Sequence, residues 1–318
     1  MSTEGGTRAI IAALTANLGI AVTKFVAFLL TRSSSMLAES VHSLADSGNQ
    51  LLLLIGGKRA SREATPEHPF GFGRQRYVYA FIVSIVLFSV GGLFALYEAF
   101  HKWQHPEPIT GRWWWVPLAI LVVAIGLESY SFRTAITESN RTRGERSWVE
   151  FVRTAKAPEL PVVLLEDAAA LLGLVFALFG VGLTIVTDDG HWDAVGTGLI
   201  GILLVGVAAV LAVEMNSLLI GEAATADDLA KIERALVGDG VERIIHMKTM
   251  HLGPEELLVA AKIAVGPRAH AHEVAEAIDA AERRVRAAVP IARVIYLEPD
   301  IDRGPVSAPS ADESARTA

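Results

Sequence analysis

SMLAESVHSLADSGNQLLLL, residues 35–54, is the stretch that decides how this chain is read. Within it Glu39, His42, Ser43, Asp46, Asn49 and Gln50 recur at steps of three and four residues. On a helix they form one polar stripe, while Leu37, Val41, Leu44 and Leu51 occupy the other faces. With the apolar run that follows, the segment from Met36 to Gly57 is long enough to cross a hydrocarbon layer of ~30 Å. A carboxylate at the centre of such a layer costs roughly 2.5–3.5 kcal/mol on insertion scales. The stripe is therefore expected to face a water-filled cavity or a partner helix, and not lipid.

Working outward, five further stretches have the same length and a more uniform apolar character: Ala9 to Leu30, Tyr79 to Phe100, Trp113 to Phe132, Leu160 to Val186, and Ala194 to Ile220. The first is too long for the apolar region of a secretory signal and is expected to be retained. The whole chain of 318 residues is 52% hydrophobic and 20% charged, with a mean hydropathy of +0.40. These values exclude a soluble enzyme and a disordered chain, and they predict a polytopic α-helical membrane protein with six transmembrane helices over residues 1–221. The absence of cysteine excludes disulfides, thiolate metal sites and cysteine nucleophiles, so any metal chemistry must use His, Asp, Glu or Asn. A net charge of −7 gives no reason to expect nucleic acid as a partner. Lys58, Arg59, Arg62, Arg74 and Arg76 follow the second span, and Arg133, Arg141, Arg143, Arg146, Arg153 and Lys156 follow the fourth. Only Arg32, Lys102 and Arg112 lie on the other side, an asymmetry that places both termini in the cytoplasm. Trp113, Trp114 and Trp115 then stand at the outer interface as an aromatic anchor.

From Glu222 onward the hydrophobic period changes. Thr225 to Val237 reads as a helix, with Thr225 and Asp228 at capping-box spacing. Arg243 to Leu252 and Glu256 to Val265 read as strands separated by a Gly253-Pro254 turn, Ala269 to Ala288 as an amphipathic helix, and Arg293 to Leu297 as a third strand. The predicted α-β-β-α-β order makes residues 222–303 a small cytoplasmic α+β domain, followed by a disordered tail over 304–318. A domain of about 80 residues holds little core of its own and gains by burying a face against a second copy, so a homodimer is expected.

His42 and Asp46 are four residues apart and leave a helix on the same face. An imidazole with a carboxylate suits a borderline divalent ion such as zinc better than calcium or magnesium. The same pair can equally act as polar glue between helices. In the fifth span Glu166 and Asp167 stand in an otherwise apolar run, and adjacent helical residues point ~100° apart. Asp167 is assigned to the shared focus and Glu166 is left open. Lys24 and Glu128 are further charges inside spans; each can line the permeation route or have a structural role, which for Lys24 means snorkelling outward or pairing with Glu39.

The run Ser35 to Gln50, together with His68-Pro69-Phe70-Gly71-Phe72-Gly73, resembles the cation diffusion facilitator family of zinc-transporter-like antiporters. The resemblance extends from Arg8 to about Asp300 and implies six spans, termini inside and a dimeric cytoplasmic domain. It also implies a tetrahedral site with two ligands from the second span and two from the fifth, which fall here on His42 and Asp46, then on Val163 and Asp167. Val163 cannot ligate a metal, so His42, Asp46 and Asp167 are the matched ligands, and water, Glu166 or Asn49 is left for the fourth place. Phe72 stands where some members carry a second loop histidine beside His68, which implies a structural loop. Members with a metal site in the cytoplasmic domain use His and Asp near the strand ends, where this chain offers His246 and Glu298 but also Tyr296; His251, His270 and His272 are nearby, but residues two apart on a helix diverge.

The resulting expectation is a divalent-cation efflux transporter, with zinc as substrate and protons as counter-ion, holding no prosthetic group. Its expected place is a bacterial-type inner membrane. A cation channel or metal sensor without proton coupling would carry the same stripe. An intramembrane zinc hydrolase would need a general base beside metal-bound water, and no HExxH occurs.

Overall fold

A computed structural model describes residues 2–31, 34–106 and 114–302. The backbone of α2 is described from Ser34, but not the side chains of residues 34–39, 41, 42 and 45. Trp113, Arg32, Arg112 and the tail over 304–318 lie outside the described residues. The chain divides into two compact units, with the boundary between Gly221 and Glu222.

The first unit is built from long helices: α1 (Ser2–Thr31), α2 (Ser34–Ala60), α3 (Gln75–Val86), α4 (Phe94–Gln104), α5 (Val116–Arg143), α7 (Glu159–Thr187) and α8 (His191–Ile220). A π-helical segment, Leu87–Leu93, joins α3 and α4 into one rod over Gln75–Gln104. Among the described residues five elements are long and apolar enough to cross a membrane: the larger part of α1, the α3–α4 rod, α5, α7 and α8. The sequence predicts six spans. The sixth, α2, has 27 residues and thus the length, but much of its first half lies outside the described side chains. What shields the stripe is packing, because α2 lies against α1 and α3, and α1 in turn packs on α5 and α7. Elsewhere the outer faces of the unit expose large apolar side chains such as Phe179, Ile202, Val213 and Phe100, as expected of surfaces solvated by hydrocarbon.

Close helix approaches rest on glycine. A Cβ at Gly180 would meet the Trp192 carbonyl oxygen at 2.8 Å, and one at Gly196 would meet the Phe176 carbonyl oxygen at 2.8 Å. The α7–α8 hairpin therefore brings two backbones together where only glycine fits, the small-residue packing typical of bilayers. Gly92 against Val205 and Gly201 against Leu96 do the same between the α3–α4 rod and α8. The basic run between the fourth and fifth spans contains one element not predicted from sequence, the short helix α6 (Trp148–Thr154). It starts at Ser147, whose hydroxyl accepts from the Glu150 N–H, and Arg143 lies 4.4 Å from the Trp148 ring centre.

The second unit has the predicted α-β-β-α-β order: α9 (Ala226–Leu236), β1 (Val241–Gly253), β2 (Glu256–Val265), α10 (Ala271–Ala288) and β3 (Val294–Asp300). The sheet order is β1-β2-β3, antiparallel between β1 and β2 and parallel between β2 and β3. Residues alternate along β2, so that Leu257, Val259, Ala261 and Ile263 face the helices, and with Ile232, Leu236, Ala281 and Val285 they form the core. Thr225 caps α9 by accepting from the Asp228 N–H at 3.2 Å, as its spacing predicts. The N-terminus of α10 uses an unpredicted cap, in which the His270 N–H donates to Glu273 Oε2 at 2.7 Å.

Candidate functional site

Polar side chains inside the helical unit converge where α1, α2, α5 and α7 meet. Asp167, 1% exposed, accepts from Ser131 Oγ of α5 at 2.6 Å through Oδ2, while its Oδ1 has no hydrogen-bond partner. Glu166, one residue earlier on α7, points to α2: Oε1 accepts from Asn49 Nδ2 and Oε2 from Gln50 Nε2, both at 3.0 Å. The network continues to α1, because Asn17 Nδ2 donates to Gln50 Oε1 at 3.5 Å. Glu128, buried on α5 one turn before Ser131, interacts electrostatically with Asp167, Asp46, Glu166 and Lys24. Lys24 is itself buried and donates to Ser43 Oγ at 3.0 Å. Thus Glu128 lies in electrostatic reach of three other carboxyl groups and one ammonium, all of them buried except the half-buried Asp46, and gathering such charge inside a bundle costs free energy that only pairing, protonation or a bound cation offsets.

The predicted residues can be placed one by one. Asp46 is half-buried on the α2 stripe. Asp167 lies inside the bundle, but its described hydrogen bond runs to α5, and it is Glu166 that reaches α2. This division follows from the ~100° between neighbouring helical residues. The His42 side chain is outside the described residues. Among the described residues no group of three His, Asp or Glu side chains is spaced to hold one metal ion. Val163 is fully buried in the apolar core of the bundle and offers no donor, as its identity requires. Lys24 donates to Ser43 and does not snorkel outward, while the Glu39 side chain, its other expected partner, lies outside the described residues. Ser131 and Asn17 were not singled out from sequence. A lone Ser or Asn in a span is too common to stand out, although Ser131, three residues after Glu128, shares that residue's face.

In the loop before α3, the His68 ring stacks on Phe72 with centroids 4.6 Å apart, and Arg62 lies 4.8 Å from the centre of the same Phe72 ring. In the second unit, strand register sets His246 opposite Lys262 and Lys262 opposite Glu298. Lys262 Nζ bonds Asp300 Oδ2 and Glu298 Oε1, each at 3.0 Å, which holds its ammonium above the ordinary lysine range. An ammonium thus stands in register between His246 and Glu298, the two residues this chain offers near the strand ends. His251 is 1% exposed, with Nδ1 3.3 Å from the Gly253 carbonyl oxygen. His270 and His272 stack in parallel, with centroids 6.0 Å apart, because His270 is the cap residue and not part of the helix proper.

Comparison with known proteins bears on the same residues. Residues 10–220 match the model of the cation efflux transmembrane domain. A proton-coupled zinc antiporter of Xenopus laevis, SLC30A9, mitochondrial, is 34% identical over 244 residues, which cover 76% of this chain and 43% of that protein. Metal tolerance protein C4 of Arabidopsis thaliana is 27% identical over 265 residues, 80% of this chain and 56% of its own. Magnetosome protein MamM of Magnetospirillum gryphiswaldense is 26% identical over 263 residues, 80% of this chain and 76% of its own. The chain therefore spans less than half the length of the zinc antiporter it matches.

Proposed function

This chain belongs to the cation diffusion facilitator family, through its cation efflux transmembrane domain, and from that premise we propose that it moves zinc, or a divalent ion of similar chemistry, out of the cytoplasm in exchange for protons. The observation that carries the reading is the sealed carboxylate of Asp167, with one oxygen unpartnered and Glu128 and Glu166 in electrostatic reach, two carboxyls on which Asp46 of α2 acts in turn. His42, Asp46 and Asp167 are the ligands proposed for the transported ion, the first two from the α2 stripe and the third from α7. Imidazole and carboxylate bind metal only when deprotonated, so such a site carries either metal or protons, and exposing it alternately to the two sides couples the two flows. The names of the zinc antiporter relatives support the choice of zinc and of protons. Metal-dependent proton flux in sealed liposomes, run across a panel of divalent ions, tests reaction and substrate together. Zinc uptake that proceeds without any counter-movement of protons would favour a channel.

The place proposed for the protein is a cell membrane of bacterial inner-membrane type, with both termini cytoplasmic, on the strength of the basic asymmetry between loops. Single cysteines introduced at Ser2 and Ser310 are expected to stay unlabelled by an impermeant reagent in intact cells and to react after permeabilisation. Labelling of either in intact cells reverses the orientation. A homodimer through residues 222–303 is proposed on the small size of that domain. Light scattering of the purified protein in detergent should give the mass of two chains, and the mass of one at working concentration refutes it.

A further inference from the structure

The buried amide of Asn49 is not accounted for by the roles given so far. Asn49 is 2% exposed, and its Nδ2 is committed to Glu166 Oε1 at 3.0 Å. The other Glu166 oxygen is committed to Gln50 Nε2 at 3.0 Å. With both carboxyl oxygens acting as acceptors, the nitrogen side of each amide must face Glu166 and the oxygen side must face away. For Gln50 that outward oxygen is used, since Asn17 Nδ2 donates to it. For Asn49 it is not: Oδ1 is sealed from solvent with no hydrogen-bond partner. A buried amide oxygen is seldom left this way, and the exceptions call for a ligand or a function. Asn49 stands three residues after Asp46 on the same face of α2, and Glu166, which orients it, immediately precedes Asp167 on α7. Asp167 Oδ1 is the second buried oxygen in this region without a partner.

Resting on the transport-site reading above, we infer that Asn49 Oδ1 is an oxygen ligand of the transported cation, in the place that Val163 leaves without a donor. Glu166 is its positioning residue: it binds no metal, and with Gln50 and Asn17 behind it, it holds the Asn49 amide with the oxygen turned toward the cation. The consequence is selectivity. A neutral amide oxygen beside two carboxylates and one imidazole hardens the donor set, which favours manganese relative to cadmium more than a second nitrogen donor would.

Isothermal titration of the full chain in detergent with Zn2+, Mn2+ and Cd2+ tests this. Asn49→Leu is expected to weaken Mn2+ binding by about tenfold or more and Cd2+ binding clearly less, in line with loss of a hard donor. Asn49→Asp, which keeps an oxygen and adds charge, is expected to move the Mn2+/Cd2+ preference in the opposite direction. Glu166→Leu removes both acceptor oxygens, so nothing holds the Asn49 nitrogen away from the cation and the preference should move in the same direction as in Asn49→Leu. The double variant Asn49→Leu/Glu166→Leu should then shift the preference no further than Asn49→Leu alone, the non-additivity expected of two residues acting as one unit. A loss that is equal for all three metals, or affinities all within about twofold of the parent, overturns the inference, since a merely structural contact has no metal preference. If Asn49→Leu does not fold, an unchanged preference in Asn49→Asp overturns it by itself. Asp46→Ala and Asp167→Ala separate the two levels: if they abolish binding while the Asn49 variants do nothing, only this inference falls, and if they too leave binding intact, the transport-site reading falls with it.

Discussion

Asp167→Ala should reduce metal transport to background, and Asp46→Ala should do the same. Asp167 is 1% exposed and its described hydrogen-bond partner is Ser131, so its carboxylate is not needed to satisfy a wider network of the bundle. Truncating it removes one negative charge from a closed region and one donor oxygen from the proposed cation site. The expected loss exceeds the roughly 10–100-fold that removal of an outer-shell partner costs at a metal site, because a direct ligand is taken away. Asp167→Asn is the sharper variant, since it keeps the side-chain volume and an oxygen for the Ser131 hydroxyl and removes the charge alone. It too should fail to transport, while its melting temperature in detergent stays close to that of the parent. Zinc uptake into vesicles by parent, Asp46→Ala, Asp167→Ala and Asp167→Asn protein is the measurement. Full transport by any of the three variants removes that residue from the site.

Collapse of the proton gradient should stop uphill zinc movement, the second large effect. If metal and protons compete for the same imidazole and carboxylates, each zinc bound must release protons, and lowering the pH must weaken apparent zinc affinity. The sign is fixed by the competition: more protons on the ligands leave fewer sites open to metal, so affinity falls from pH 8 towards pH 6 by roughly the power of ten per pH unit and per proton released that linkage requires. Titrations in buffers of different ionisation enthalpy give the number of protons released. Zero release across the range, or zinc accumulation that persists after the gradient is dissipated, rejects exchange and leaves a channel or sensor.

The helical unit was legible because membrane insertion imposes a crude constraint. About 20 apolar residues per crossing is a demand on local composition, and Leu160 to Val186 or Ala194 to Ile220 meet it with no knowledge of neighbours. The small domain was legible for a related reason, as the Gly253-Pro254 turn and the alternation through Leu257, Val259 and Ile263 are local signals of period two. In α2 the stripe of Glu39, His42, Ser43, Asp46, Asn49 and Gln50 marks it in the sequence as the functional helix. α6 was missed because its seven residues are too few to show a period and depend on the Ser147 cap and the Arg143–Trp148 contact.

What the sequence determined by itself is therefore the order of the long helices and of the small α-β-β-α-β domain, the polar stripe on α2, the acidic pair on α7 and the missing donor at Val163. Each is a matter of residue identity and of spacing along one helix. Only the tertiary structure decided how the acidic pair is divided, with Glu166 turned to Asn49 and Gln50 on α2 and Asp167 to Ser131 on α5. Sequence spacing states that neighbouring side chains diverge by ~100°, but not which helix stands in either direction. That answer comes from the packing of α7 on α5 and of α1 on α2, α5 and α7, contacts between separate helices that no spacing along one helix encodes.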